Sequence, residues 1–228
     1  MDLAFLIATM ERLLAGVPLT LELSALSIST GAAIAVLFAV LRTSSRVGEW
    51  LVRAYVYMLR GTPLLLQIFL IYYGLAQFAA VRESLLWPFL REPFWCALLA
   101  LTLNTAAYGS EIVRGGLQSV AQGAIDAGRA AGMSRLLLYR RIVLPLALRQ
   151  ALPAYGNEMI AMVKSTSLAS IVTLMELSGI AYAVISETYR AFETFLCAGS
   201  IYLAINFLIA RGIAWAEHRL NPHLRPAA

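Results

Sequence analysis

Lys164 is the only lysine of the chain, and Ser165, Thr166 and Ser167 follow it directly. It lies eleven residues beyond Pro153 in an apolar segment. That is roughly 16 Å along a helix, close to the middle of a bilayer. An ammonium at that depth is costly, so it meets a carboxylate or faces water. Asn104, Tyr108 and Glu111 recur at helical spacing in a second apolar segment and share one face. Gln67 follows a helix-breaking Arg60-Gly61-Thr62-Pro63 in a third. These side chains can hold a polar solute. They include no nucleophile with its base, no paired catalytic carboxylates and no metal-ligand cluster, so neither a catalytic set nor a metal site is expected. Gln67, Asn104, Tyr108, Lys164, Ser165 and Thr166 are therefore the expected substrate path. Two structural readings stay open beside it: interhelical hydrogen bonding for Asn104, and a structural ion pair for Lys164. Glu158, six positions from Lys164 and about 600° round a helix, does not share its face.

The elements that position these groups must lie in a membrane. The 228 residues are 60% hydrophobic and 14% charged, more apolar than a soluble domain of this length can bury. The net charge of +5 comes from 17 arginines and one lysine. The arginines flank apolar runs instead of lining one face, so membrane lipid is an expected partner and nucleic acid is not. Met1-Asp2-Leu3 lacks the positive start of a secretory leader, and none is expected. Cys96 and Cys197 sit in apolar surroundings as small fillers, and His218 and His223 fall in the tail.

In chain order, Leu3, Leu6, Ile7, Met10, Leu13 and Leu14 form one stripe, so residues 1–16 read as an interfacial helix or as the start of the first span. Five spans follow: Val17 to Leu41 with Glu22 as its only charge, Pro63 to Ala80, Phe94 to Gly109, Pro153 to Leu177, and Phe195 to Trp215. Trp50, Tyr55 and Tyr57 suit a membrane boundary. The membrane body thus covers residues 17–218, and 219–228 form a tail. Arg42, Arg46, Arg53, Arg114, Arg129, Arg135, Arg140, Arg141, Arg149, Arg219 and Arg225 fall on one side. Arg12, Arg82, Arg91 and Arg190 fall on the other. The arginine-rich side is expected to be cytoplasmic, giving an outside N-terminus and an inside C-terminus. No internal repeat is visible, which argues against an inverted-repeat carrier.

The stretch Ser119 to Pro153 is then a cytoplasmic interruption. Ala124, Ala127, Gly128 and Ala131 share a face with almost no side chain, open to close approach by another surface. Gly132 fits a left-handed helix stop, Ser134 a cap, and Pro145 the end of a second short helix.

The spacing Asp126-Ala127-Gly128, three residues, Gly132, nine residues, Ile142-x-Leu144-Pro145 resembles the EAA motif of ATP-binding-cassette (ABC) importer permeases. Asp126 stands for the usual Glu, and Gly128 for the third Ala at about 1 kcal/mol of helix propensity. Arg60-Gly61-Thr62-Pro63-Leu64-Leu65, Ala151-Leu152-Pro153-Ala154-Tyr155, Asn157-Glu158 and Lys164-Ser165-Thr166-Ser167-Leu168-Ala169 are similar to the polar amino-acid permeases. Leu103-Asn104-Thr105-Ala106-Ala107-Tyr108 and Trp87-Pro88-Phe89-Leu90 resemble the M-type subunit of the histidine/lysine/arginine/ornithine and opine branch.

The resemblance implies an all-α, five-span type I importer permease in a bacterial inner membrane, with coupling helices over about 119–145. It implies a subunit that imports a polar amino acid, basic or opine, by alternating access. The expected partners are a dimer of ABC ATPases, a second permease subunit (a copy or a related chain) and an extracytoplasmic substrate-binding protein. The chain has no phosphate-cradling GxxxxGK[ST] loop, so ATP and Mg belong on the partner and no cofactor on this chain. ATPase coupling falls to Ala124, Asp126, Ala127, Gly128, Arg129, Ala131, Gly132, Ile142, Leu144 and Pro145, with Arg135 at the rim. Hydropathy alone also fits an ion-coupled carrier or channel working without an ATPase, which leaves the EAA-like bend without a purpose.

Overall fold

A computed structural model describes residues 2–220, and within them every regular element is a helix. His223, Arg225 and most of the expected tail lie outside the described residues. The helices are α1 (Leu3–Leu14), α2 (Val17–Ser44), α3 (Arg46–Gly61), α4 (Leu64–Phe69), the single turns α5 (Ala79–Arg82) and α6 (Trp87–Leu90), α7 (Pro93–Gln118), α8 (Gln122–Ala130), α9 (Arg135–Leu138), α10 (Leu144–Ser165), α11 (Leu177–Thr188) and α12 (Ala191–Leu220).

Three runs are long and apolar enough to cross a bilayer: Leu3–Ser44, Pro93–Gln118 and Ala191–Leu220. Two broken pairs raise the number to as many as five, namely Arg46–Gly61 with Leu64–Gln77, bent by 104°, and Arg135–Val172 with Leu177–Thr188, bent by 50°. The bounds differ from the sequence expectation for identifiable reasons. Helix after Pro63 ends at Gln77, about 20 Å and too short for a span alone. α3, expected only as a boundary segment, is its continuation across the break. The first turn of the fourth span is not at Pro153, which lies inside α10. Nor does Pro145 end a helix. It sits in the first turn of α10, after a π turn over Tyr139–Val143 that widens the ladder where a proline lacks its donor. Helix therefore continues from Arg135 to Val172.

In a bilayer, helices gain contact through small residues that let backbones approach. Ser24, Ser27, Gly31 and Ala35 give α2 such a stripe, all buried. A β-carbon on Gly31 would stand 2.7 Å from Thr105 of α7, and one on Gly109 of α7 would stand 3.1 Å from Ala35. The apolar core joins Leu23, Ile68, Leu101, Met162 and Val172 from five segments. α1 uses part of its stripe internally: Leu6, Met10 and Leu13 pack on Leu177, Ala181 and Ala198 of α11 and α12, while Leu3, Ile7 and Leu14 stay exposed.

Both breaks are stapled by side chains. At the second, Thr173 adopts a left-handed conformation (φ 67°), and the buried Glu176 caps α11. Its carboxylate accepts from the Gly179 amide (2.9 Å), the Thr20 hydroxyl (3.3 Å) and the Tyr202 hydroxyl (2.9 Å), tying α2, α11 and α12 together. The two ends of the bundle carry separate ion pairs. Arg12 meets Glu187 (2.7 Å) and Arg190 meets Asp2 (3.8 Å) at one end. Arg42 and Arg114 both meet Glu111 at the other (2.5 and 2.6 Å).

Neighbouring glycines of α7 test the packing. A β-carbon on Gly116 would stand 2.7 Å from the Ala147 carbonyl oxygen of α10, whereas one on Gly115 meets nothing within 4 Å. Gly116→Ala should cost about 1–3 kcal/mol, and Gly115→Ala should be neutral or gain up to about 1 kcal/mol. Thermal unfolding in detergent reads both; equal shifts would contradict the close α7–α10 contact.

Candidate functional site

The break at Thr62-Pro63 opens a cavity of about 490 Å³ between the end of α3, α7 and α10. Arg60 and Asn104, Tyr108, Glu158 and Ser165 supply its polar lining. Two further cavities lie beside it, of about 720 Å³ and 360 Å³, and Arg60 and Tyr108 line all three. The Arg60 guanidinium lies 4.8 Å over the Tyr108 ring. It forms no ion pair among the described residues, so the ring holds the cation in place without neutralising it.

The structure brings together only part of the expected path. Asn104, Tyr108 and Ser165 line the cavity with Arg60, Gly61, Thr62 and Pro63. Gln67 stands behind it and is buried. Its amide nitrogen donates to the carbonyls of Leu59 (2.7 Å) and Thr62 (3.1 Å) and to the Thr62 hydroxyl (3.0 Å). Its oxygen accepts from the Asn104 side-chain amide at 3.2 Å. Gln67 thus satisfies the carbonyls that the break frees, and it also sets the orientation of Asn104. Thr166 is fully buried and bonds the Val163 carbonyl (2.8 Å), so its hydroxyl is committed to the helix. Lys164 is exposed, outside the cavity lining, and has no ion pair among the described residues.

Two groups carry a different role from the one read in the sequence. Arg60 was a break residue and is a cavity cation. Glu158, set against Lys164 and otherwise noted only within a family-like stretch, is a cavity carboxylate. The available signal was the spacing of Glu158 and Ser165, seven residues apart and hence on one helical face.

The loop between α7 and α10 has the expected stop and cap. Gly132 is left-handed (φ 73°), the Met133 amide bonds the Gly128 carbonyl (3.1 Å), and Ser134 accepts from the Leu137 amide (3.4 Å). The small-residue face is divided. Ala127 and Ala131 are exposed and Ala124 is half-buried, but Gly128 is buried against α9. A β-carbon there would stand 2.5 Å from Leu138 Cδ1 and 2.9 Å from Ile142 Cδ1. The close approach at Gly128 is therefore within the chain, which accounts for glycine in place of the motif's third alanine. Asp126 is exposed, accepting from Gln122 (3.0 Å) and Arg129 (3.3 Å). Ile142 and Pro145 are half-buried and Leu144 is exposed, while Arg135 is exposed beside Ser134.

An all-helical body with spans broken around a polar cavity and a two-helix loop at one end defines a membrane permease. Residues 31–222 match the model of the binding-protein-dependent transport system inner membrane component, and the chain belongs to that family. It is 57% identical over 227 residues to the octopine transport system permease protein OccM of Rhizobium meliloti, covering 98% of this chain and 92% of the relative. It is 40% identical over 215 residues to the histidine/lysine/arginine/ornithine transport system permease protein HisM of Escherichia coli, covering 93% and 90%. A crystal structure of an amino acid ABC transporter with histidines superposes with a TM-score of 0.85 at 30% identity, over 96% of this chain and 99% of that one. The fold is that of a type I ABC importer permease.

Gln67→Leu removes the partner of two carbonyls at the break while keeping a side chain of similar size. It should destabilise the protein by about 1–3 kcal/mol. A thermal midpoint unchanged in detergent would show that the break holds without the staple.

Proposed function

We propose that this chain is the permease subunit of an ATP-driven importer that moves a polar amino acid, of the basic or opine kind, across the inner membrane by alternating access. The observation that carries this reading is the cavity with Arg60 and Glu158 in one lining. A zwitterion needs one cation for its carboxylate and one carboxylate for its ammonium. The neutral polar groups in the same lining, Asn104, Tyr108 and Ser165, offer the remaining hydrogen bonds. The opine and basic amino-acid permeases among its relatives support the choice of solute.

Coupling to partner ATPases, where ATP and Mg bind, is assigned to the loop over about 119–145. Ala127, Ala131, Asp126 and Arg129 present its exposed face. The helix that leaves the loop at Arg135 is the one that carries Glu158 and Ser165, so a displacement of the loop reaches the cavity along continuous helix. The breaks at Thr62-Pro63 and Thr173 are the points where spans can rotate as rigid pieces. In this arrangement the loop faces the cytoplasm, a second permease subunit completes the path, and a binding protein delivers solute on the outer side.

The experiment is reconstitution of the assembled complex in lipid vesicles with its binding protein. Uptake of labelled arginine or octopine should require ATP. Arg60→Gln and Glu158→Gln should each lower uptake about tenfold or more, since a hydrogen bond to a charged group is worth roughly 1.5–3 kcal/mol. ATP-independent uptake by this chain alone would overturn the reading.

The loop has its own test. Gly132→Pro forces φ to about −65° where the bend needs a positive value. The expected result is loss of ATPase co-purification with membrane insertion intact, and Asp126→Lys should act in the same direction. Normal ATPase recovery with both variants would refute docking through this loop.

A further inference from the structure

The cavity of about 720 Å³ is not needed to hold the zwitterion, yet it borders the same place, since Arg60, Gly61 and Tyr108 line both it and the Glu158 cavity. Its walls are two facing polar stripes. Glu49, Arg53 and Arg60 recur on α3, and Tyr108, Glu111, Arg114 and Gln118 on α7, with Arg42 of α2 beside them. Four guanidiniums therefore face two carboxylates. Arg42 and Arg114 share Glu111, and Arg53 pairs with Glu49 at 2.8 Å. Arg60 adds its charge with no ion-pair carboxylate among the described residues, so the cavity keeps a positive surplus beside the Glu158 site.

We propose that this cavity is a second, anion-accepting subsite, which takes the additional carboxylate of a solute whose zwitterionic end lies between Arg60 and Glu158. The proposal rests on the transport reading above and gives it a chemical preference, for amino acids bearing an extra carboxylate over those whose only side-chain charge is positive. Arg60 belongs to both linings, so a solute can extend from one into the other without crossing an apolar barrier. Arg53 and Arg114 are the reachable cations, with side chains 68% and 42% exposed, whereas Arg42 is 12% exposed and serves to hold Glu111. A guanidinium-ended solute entering the same cavity would meet like charge.

Two substitutions separate this from a structural role, because both break the same Arg53–Glu49 ion pair and change the cavity charge in opposite directions. The probe is octopine, an arginine whose α-nitrogen carries a carboxyethyl group, at subsaturating concentration. Uptake is measured per assembled complex in vesicles with one binding-protein preparation throughout. Arg53→Gln should lower octopine uptake about three- to tenfold and Glu49→Gln should raise it by a similar factor, the scale of one charge at a partly solvated site. Arg53→Lys should restore most of the loss. Changes in the same direction, or changes within about twofold in both, would overturn the subsite, as would a wild-type complex that imports arginine but not octopine. ATP-driven import of neither solute would instead remove the transport reading on which the subsite depends.

Discussion

A helix broken inside an apolar layer frees carbonyl and amide groups that no water is present to satisfy, and each must find a partner within the protein. Both broken spans here meet that demand with side chains, Thr62 helping Gln67 at the first and Thr20 helping Glu176 at the second. Gln67 reaches back to Leu59 and Thr62 at the first break, and Glu176 gathers an amide and two hydroxyls at the second. The rest of the structure hangs on these two staples. The first shapes the cavity, because the angle of 104° at Thr62-Pro63 separates α3 from α4 and leaves Arg60 at the rim. The second fixes where α11 leaves the core and ties it to α2 and α12.

The packing between breaks has a different basis. Lipid tails are as apolar as leucine, so helix association draws on close approach instead of on water exclusion. Gly31 against Thr105, Gly116 against Ala147 and Gly156 against Ile213 mark close contacts between spans, and they bring α2, α7, α10 and α12 together. Where α3 faces the C-terminal half of α7, both helices present charged stripes that cannot close on each other. The space left between them is the arginine-lined cavity, bounded by ion pairs whose carboxylates are outnumbered. Apolar small-residue seams and polar open clefts thus alternate around α7, the helix at the centre of the bundle.

The loop at residues 119–145 belongs to the same economy of contact. Val120, Leu138, Val143 and Ala147 form a small core that seats it on the ends of α7 and α10, and Gly128 makes the room for Leu138 and Ile142. The π turn at Tyr139–Val143 lets Pro145 enter a helix that elsewhere would stop. A loop read as two helices and a sharp end is instead one bend at Gly132 followed by uninterrupted helix to the cavity wall.

Much of this was legible in the residues themselves. Hydropathy determined the helical membrane class and the approximate spans, since about 20 apolar residues in a row have few alternatives. Gly132 declared its left-handed bend, Ser134 its cap and Pro63 its break, because each is a local property of one residue and its neighbours. The spacing from Asp126 to Pro145 carried the family. Tertiary structure alone decided which polar side chains meet. Gln67, Thr166 and Lys164 looked like path residues by depth and chemistry, yet Gln67 and Thr166 are spent on backbone groups and Lys164 lies outside the cavity. Arg60 and Glu158, 98 positions apart, became one site only because α3 and α10 converge on Tyr108 and Asn104. Position along a helix fixes depth and face, but which face finds a partner depends on helices that no local pattern describes.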